Sequence, residues 1–274
     1  MNQSTIVKNI MVTGHKGFVG SHVYKLLSKT YNVFGFDLPD NDFTSSMSVD
    51  KFIFKNKIDT IVHIGAMAGL EHCMDFPSDA VYNNVLGTSV LLSLAKMRKC
   101  KFIHTSTWAV RGRLEHPYDI TKEMSERLVN MYHDVYGLET SILRLATMYG
   151  PGMRKNGVIW AFLEKSLKDE EIVIQGDGKQ FRQFLWIEDA AEAFLAALVN
   201  FRDGSTYEVQ STELTSIRDL ANSVYPNSSQ KIKYVEARKG DEKSFWVTPS
   251  QFGWKAKISI EVGMEKLKEY IRNG

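Results

Sequence analysis

The chain is short of cysteine, of net charge and of long apolar runs, and each shortage excludes a class of protein. Two cysteines in 274 residues, Cys73 and Cys100, cannot build a disulfide framework, and neither stands at metal-ligand spacing. A reducing compartment follows as the default, and no metal site is expected. With 34 basic and 32 acidic residues the net charge is +2, too weak a field to argue for nucleic acid or an anionic membrane as partner. No run approaches the ~18 apolar residues needed to span a bilayer, and residues 1–8 do not form an apolar leader. There is neither an internal repeat nor a low-complexity linker. A soluble, cytoplasmic protein is expected, built as one large domain or two closely joined ones.

What the chain does have is one stretch on which the rest is organised: Met11-Val12-Thr13-Gly14-His15-Lys16-Gly17-Phe18-Val19-Gly20. Residues 9–13 form a short apolar run, and Val19, Val23, Leu26 and Leu27 then recur at helical spacing, so the stretch reads as strand, turn and helix. Gly14, Gly17 and Gly20 supply a tight turn, a close backbone approach to a pyrophosphate and a helix packed against its strand. The helix start offers free N–H groups to phosphate. A second strand, residues 32–36, ends at Asp37, where a dinucleotide fold places the acid that accepts the adenosine ribose hydroxyls. Together these features mark a dinucleotide site. Asp37 would repel a 2′-phosphate and no arginine follows closely, so NAD is preferred over NADP; Lys16 is the one loop residue that could face such a phosphate.

Up to residue 145, short apolar runs alternate with helical patterns, the signature of a parallel sheet covered on both faces. Strands are predicted at 60–64, 101–105 and 141–145, and helices around 49–54, 80–97 and 118–136. The strand at 60–64 stops at Gly65-Ala66-Met67-Ala68-Gly69, small residues over which a ligand could cross the sheet edge. After Tyr149-Gly150-Pro151-Gly152 the alternation loosens. A helix is predicted at 158–167, extended segments at 171–174, 184–187, 206–209 and 232–235, an alanine-rich helix up to Val199, and a helix at 216–224 capped by Thr215. The expected fold is α/β, a Rossmann-type doubly wound parallel sheet with a smaller mixed α/β C-terminal substrate lobe. Residues 1–147 would bind the dinucleotide, with 181–200 returning to that domain, while 148–180 and 201–274 would form the substrate lobe.

The chemistry is carried by a second group. Thr105-Ser106-Thr107 ends a strand, and Tyr118 and Lys122 follow, four apart on a predicted helix and therefore on one face. An ammonium beside the phenol favours the phenolate and makes Tyr118 usable as an acid or base near neutral pH. Of the eleven tyrosines, only Tyr118 has a lysine four residues on.

In order along nearly the whole chain, these residues resemble the extended short-chain dehydrogenase/reductases, the NAD-dependent epimerase/dehydratase family of nucleotide-sugar enzymes. The resemblance takes in the stretch from Thr13 to Gly20, Asp37, His63-Ile64-Gly65-Ala66-Met67-Ala68-Gly69, Asn84-Val85-Leu86-Gly87-Thr88, the Thr107 strand and Tyr118-x-x-x-Lys122. It continues through Arg144 to Pro151, Gly176 to Phe184, Ile187-Glu188-Asp189 and Arg238-Lys239-Gly240-Asp241. It implies that Tyr118 is the acid/base on a sugar hydroxyl or carbonyl, that Lys122 binds the nicotinamide ribose and tunes Tyr118, and that Thr107 hydrogen-bonds the reacting oxygen. Cofactor contacts are implied for Gly14, Lys16, Gly17, Phe18, Val19, Gly20, Asp37, Ile64, Gly65, Ala66, Ala68, Asn84, Tyr118, Lys122 and Leu145. Asp42 and Phe43 resemble the pair that holds the adenine, although Asp42 also reads as a solvated loop acid. Arg182 and Arg238 match positions facing the substrate diphosphate, where a guanidinium fork suits phosphate oxygens; the alternative is a surface ion pair. A homodimer through the helices at 80–97 and 118–136 is implied as well.

Departures from the family bear on substrate. Dehydratase members carry Asp-Glu after the catalytic threonine, whereas this chain has Trp108 and Ala109, which argues against a 4,6-dehydratase. The family's usual Tyr-Gly is Arg111-Gly112 here, and Thr147 replaces an asparagine on the substrate side. Trp108 could stack on a sugar or fill core. His63 and His104 lie in strands and read as interior or edge histidines. Three functions are consistent with these residues: an NAD-dependent nucleotide-sugar epimerase of the 4-epimerase type, an NAD(P)H-dependent reductase of a 4-keto sugar nucleotide, or a dinucleotide-sensing regulator. The last has no need of Tyr118 and Lys122 together.

Overall fold

A computed structural model describes residues 8–112, 114–155, 157–225, 231–236 and 247–273. Along the chain lie β1 (Asn9–Thr13), α1 (Phe18–Leu27), β2 (Asn32–Phe36), α2 (Ser46–Asn56), β3 (Thr60–His63), α3 (Leu70–Asp75), α4 (Pro77–Ala80), a π-helical turn (Val81–Leu86) and α5 (Gly87–Arg98). They are followed by β4 (Lys101–Thr107), a 3₁₀ turn (Trp108–Arg111), α6 (Pro117–Tyr136), β5 (Thr140–Leu145), β6 (Thr147–Tyr149), α7 (Val158–Leu167), β7 (Ile172–Gln175) and β8 (Phe181–Arg182). The last elements are β9 (Phe184–Trp186), α8 (Ile187–Val199), β10 (Ser205–Val209), β11 (Thr215–Ser216), α9 (Ile217–Val224), β12 (Ile232–Val235) and α10 (Ile260–Asn273).

Two compact units result. The first comprises the chain up to Leu145 together with Ala191–Val209 and Gln251–Trp254. Its six strands form one sheet in the order β10-β5-β4-β3-β1-β2, every neighbouring pair parallel. Ile10, Met11, Val12, Ile61, Val62, Phe102 and Ile103 are all fully buried, as near-continuous apolar strands of a parallel sheet require. Met11, Phe36, Ile61, Leu91, Phe102, Val129 and Ile142 join in one core cluster. Helix ends follow local chemistry. Pro117 occupies the first position of α6, where its missing N–H costs nothing, and Gly137 closes the helix at φ 66°. Because β2 and β3 lie on opposite sides of β1, the strand order reverses between β1 and β3, and the crevice at their C-terminal ends is the binding position of such a sheet.

The second unit comprises Ala146–Ala190, Gln210–Ser250 and the chain from Lys255. Its strands pair in twos: β6 with β9 and β7 with β12 in parallel, β8 with β11 antiparallel. Tyr149, Phe162, Ile172, Phe184, Trp186, Leu220, Met264 and Leu267 make its core.

The structure departs from the sequence reading in three places. Residues 205–209 were expected in the substrate lobe, yet β10 pairs with β5 at the edge of the main sheet, and Tyr207 stacks on Phe252 at 4.3 Å, holding Gln251–Trp254 in the first unit. The segment 181–200 divides: residues up to Ala190 belong to the second unit and Ala191 onward to the first. Thr215 does not cap α9. It lies in β11, and Ser216 is the cap, its hydroxyl accepting the Asp219 N–H at 2.9 Å, because the first turn begins one residue later than the periodicity suggests.

Candidate active site

The glycine loop is shaped by contacts that no side chain could replace. Gly14 sits at φ 69°, its N–H donates to Phe36 O at 3.1 Å and its carbonyl accepts from Gly17 N at 3.0 Å. A Cβ on Gly14 would stand 2.6 Å from Gly65 Cα, and one on Gly20 would collide with the Gly14 carbonyl. The loop after β1 is therefore pressed onto the loop after β3, and α1, whose start holds Phe18 and Val19, begins directly after Gly17.

A chain of hydroxyls locks these two loops together. Thr13 Oγ accepts the N–H groups of Ile64 at 3.1 Å and Gly65 at 3.0 Å, so its own proton goes to His63 Nδ1 at 2.7 Å. His63 must then carry its proton on Nε2, which donates to Thr88 Oγ at 3.1 Å, and Thr88 donates to the Asn84 carbonyl at 2.6 Å. His63 and His104 are both buried, and burial together with the nearby Lys122 charge pushes each well below the ordinary histidine range, so both are neutral.

At the end of β2, Asp37 accepts the Lys16 N–H at 2.9 Å and the Leu38 N–H at 2.9 Å. The Lys16 ammonium turns to Asp40 Oδ2 at 2.8 Å and the Leu38 carbonyl at 3.1 Å. Asp42 forms a local turn by accepting the Thr44 N–H and hydroxyl at 2.8 and 2.7 Å. The buried Phe43 ring fills the space that side chains on Gly65 and Gly87 would need. Ala66 and Ala68 are half-buried beyond Gly65. The Asn84 side chain, in the π-helical turn, is spent on Met67 N–H (2.8 Å), Met67 O (3.1 Å) and Thr121 Oγ (2.9 Å), which ties the β3 loop to α6.

Thr107 ends β4 in register with the buried Leu145. Its Oγ accepts the Ala109 N–H at 3.3 Å and so starts the 3₁₀ turn that carries the half-buried Trp108. On α6 Tyr118 is half-buried, whereas Lys122, one turn on, is only 3% exposed. Burial lowers Lys122 to about 8, with the Glu126 carboxylate acting in the opposite direction. Glu126 in turn grips Arg144 through two hydrogen bonds of 2.8 and 2.6 Å. Sequence reasoning placed Arg144 only in a family motif and passed over Glu126 and Glu208. The available signal was a charge between Leu143 and Leu145 in an apolar strand, which requires a buried partner.

The first unit thus gathers Gly14, Lys16, Gly17, Phe18, Val19, Gly20, Asp37, Asp42, Phe43, Ile64, Gly65, Ala66, Ala68, Asn84, Thr107, Trp108, Tyr118, Lys122 and Leu145. Thr147, half-buried in β6, and Arg182, in β8 with Nη1 donating to the Phe181 carbonyl at 3.0 Å, belong to the second. Arg238 lies outside the described residues. Among the described residues no group of His, Cys, Asp and Glu could hold a metal. The residues do fit NAD: a glycine cradle with no room for Cβ atoms, free N–H groups at the start of α1, and a carboxylate fixed by two amides at the end of β2.

The profile of the NAD dependent epimerase/dehydratase family matches residues 10–210. The chain belongs to this family. It is an enzyme of the extended short-chain dehydrogenase/reductase type, with NAD as cofactor. A putative UDP-glucose 4-epimerase of Methanocaldococcus jannaschii is 28% identical over 308 residues, covering 96% of this chain and 98% of the relative. The trifunctional UDP-glucose 4,6-dehydratase/UDP-4-keto-6-deoxy-D-glucose 3,5-epimerase/UDP-4-keto-L-rhamnose-reductase of Arabidopsis thaliana is 27% identical over 314 residues, covering 96% of this chain. The chain spans only 47% of that larger relative. Among solved structures, UDP-glucose 4-epimerase of Thermotoga maritima with UDP-glucose is 25% identical with a TM-score of 0.87, covering 97% of this chain and 99% of that one. A dTDP-glucose 4,6-dehydratase of Streptomyces venezuelae with NAD bound shares the fold at a TM-score of 0.84, with 22% identity and 97% of each chain covered.

Proposed function

We propose that the chain is an NAD-dependent nucleotide-sugar epimerase that works by Tyr118-assisted hydride transfer through a keto-sugar intermediate. The observation that carries this reading is Lys122, buried one helical turn from Tyr118. The Gly14–Gly20 loop, Asp37, the Ile64–Ala68 loop and Lys122 would hold NAD, which when bound supplies the hydride acceptor and donor. Tyr118, as a phenolate stabilised by the charged Lys122, takes the proton of the sugar hydroxyl as the sugar is oxidised, stays a neutral phenol while the keto sugar is present, and returns the proton when the carbonyl is reduced. Thr107 Oγ accepts from Ala109 N, which leaves its own proton to donate to the reacting oxygen. Trp108 and Ala109 bring no carboxylate to this turn, so nothing there removes water from the sugar, which favours epimerisation over dehydration.

In this reading the first unit carries NAD, and Thr147 and Arg182 are the candidate substrate-binding residues of the second. The working form is a homodimer through the outer face of α5 and α6, where Met97, Met124 and Val135 are exposed and a groove of about 380 Å³ is lined by Ser93, Lys96, Met97, Tyr132 and Tyr136. Neither cysteine is in a disulfide, in keeping with a cytoplasmic site, and no helix among the described residues is long and apolar enough to cross a membrane.

The test is incubation with UDP-, dTDP-, GDP- and CDP-sugars, including 4-keto forms, and oxidised or reduced cofactor, with products identified by NMR. An epimer formed without net change of cofactor is the expected result, and Tyr118→Phe should lose about a thousandfold in turnover while still binding NAD. Stoichiometric loss of reduced cofactor would replace the epimerase with a 4-keto sugar reductase.

A further inference from the structure

Ser106, Arg144 and Glu208 are register partners across β4, β5 and β10, so their side chains share one face of the sheet. Arg144 uses both edges of its guanidinium there: Nε and Nη2 on Glu126, Nη1 on Glu208 Oε1 at 2.9 Å. A second guanidinium meets the same oxygen. Arg111, the last residue of the turn that begins at Thr107, donates from Nε at 2.8 Å and from Nη2 at 2.7 Å. Glu126, Glu208 and Arg144 are 6%, 8% and 16% exposed in their side chains, while Arg111 is 53% exposed. The four charges alternate, Arg111, Glu208, Arg144, Glu126, and Lys122 lies one turn of α6 before Glu126. Arg111 stands where the resembled family carries a tyrosine.

We propose that Arg111 and Glu208 are positioning residues of the catalytic centre: with Arg144 and Glu126 they fix the turn after Thr107 to the sheet and balance the charge around Lys122. The inference rests on the epimerase reading for what the centre does, while the arrangement of charge is read from this structure. Two guanidinium groups converge on Glu208 Oε1, Arg111 through Nε and Nη2 and Arg144 through Nη1, and these charge-assisted bonds tie the turn to the sheet. Glu208 accepts from Arg144 Nη1 and so offsets part of the guanidinium charge, while the Glu126 carboxylate, paired with Nε and Nη2, stands one turn from Lys122. The other groups facing Lys122 from the sheet, His63 on β3 and His104 on β4, are neutral, so they do not offset a change at Glu208.

The two variants act in opposite directions. Glu208→Gln removes an anion, leaves Arg144 less compensated and makes Lys122 lose its proton at lower pH. Arg111→Ala removes a cation and moves that titration to higher pH. The shift should be larger for the buried Glu208 than for the half-exposed Arg111, whose charge water screens. Both variants should lower kcat roughly tenfold by misplacing Thr107, with KM for the nucleotide sugar changed less than about twofold.

The experiment follows Lys122 by NMR of isotope-labelled lysine in the full chain with NAD, the signal assigned by its loss in Lys122→Met, alongside kcat and KM. Opposite shifts in the two variants are the expected result; shifts of one sign, or none, overturn the proposal. If Glu208→Gln does not fold, Arg111→Ala at its half-exposed side chain decides alone, an upward shift with reduced kcat supporting the proposal and an unmoved titration refuting it. Absence of turnover with every sugar in the unsubstituted protein counts against the epimerase reading only, because the titration is read without turnover.

Discussion

The two ends of the crevice use similar residues in different surroundings. At the β2 end, Lys16 and Asp40 meet at 2.8 Å with side chains 46% and 71% exposed, so water screens the pair and it contributes little to stability. At the β4 and β5 end, Lys122 is 3% exposed and its neighbours Glu126 and Arg144 are nearly as buried. Residue type is the same; burial decides the use. The exposed end presents a carboxylate fixed by backbone amides, whereas the buried end holds a lysine that burial lowers to about 8.

If that contrast is right, substitutions at the buried end must cost most. Arg144→Met leaves Glu126 facing no guanidinium and Glu208 with only Arg111, and should cost about 3–5 kcal/mol of stability. Denaturant unfolding measures it, and a loss below about 1 kcal/mol would show that the cluster is wet. Lys122→Met should act in the other direction. Burial lowers Lys122 from 10.5 to about 8, so between these pH values the unfolded chain binds more protons than the folded one and stability rises with pH. Below pH 8 the buried charge costs the folded state about 3 kcal/mol. Lys122→Met should therefore stabilise the protein by that order at pH 7 while removing activity, the gain shrinking as pH approaches 10.5; equal gains at pH 7 and pH 10 would contradict the burial argument.

The exposed end should respond less. Asp37→Ala should weaken NAD binding about tenfold by calorimetry, the worth of one charge-assisted hydrogen bond to ribose. Smallest of all, Lys16→Ala should leave the melting temperature unchanged within error, because the loop is held by the Lys16 N–H and not by its ammonium. A large drop in melting temperature would erase the distinction between the two ends.

Which parts of this were legible in the sequence follows from how local each interaction is. The glycine loop, Asp37 and the Tyr118–Lys122 pair are set by spacings within a few residues or one βαβ unit, and the strands and helices of the first unit follow the same short-range periodicity. The ion cluster was not legible, since Arg111 and Arg144 meet Glu208 only after β10 joins β5, and a five-residue strand at 205–209 suits either a central or a peripheral sheet. The hydroxyl chain from Thr13 through His63 to Thr88 was hidden for the same reason, although His63 in an apolar strand already demanded partners. Where Asn84 was expected to touch cofactor, its amide is committed to Met67 and Thr121, a use that depends on the π-helical turn and has no periodic signature.

The most direct measurement is the pH dependence of single-turnover rates with NAD and a converted nucleotide sugar, in the unsubstituted protein and in Lys122→Met. If the Lys122 charge is what makes Tyr118 work, the rate falls as pH rises through about 8, and that limb disappears in Lys122→Met together with most of the activity. An alkaline limb that survives unchanged in Lys122→Met would contradict the claim and assign the titration to another group.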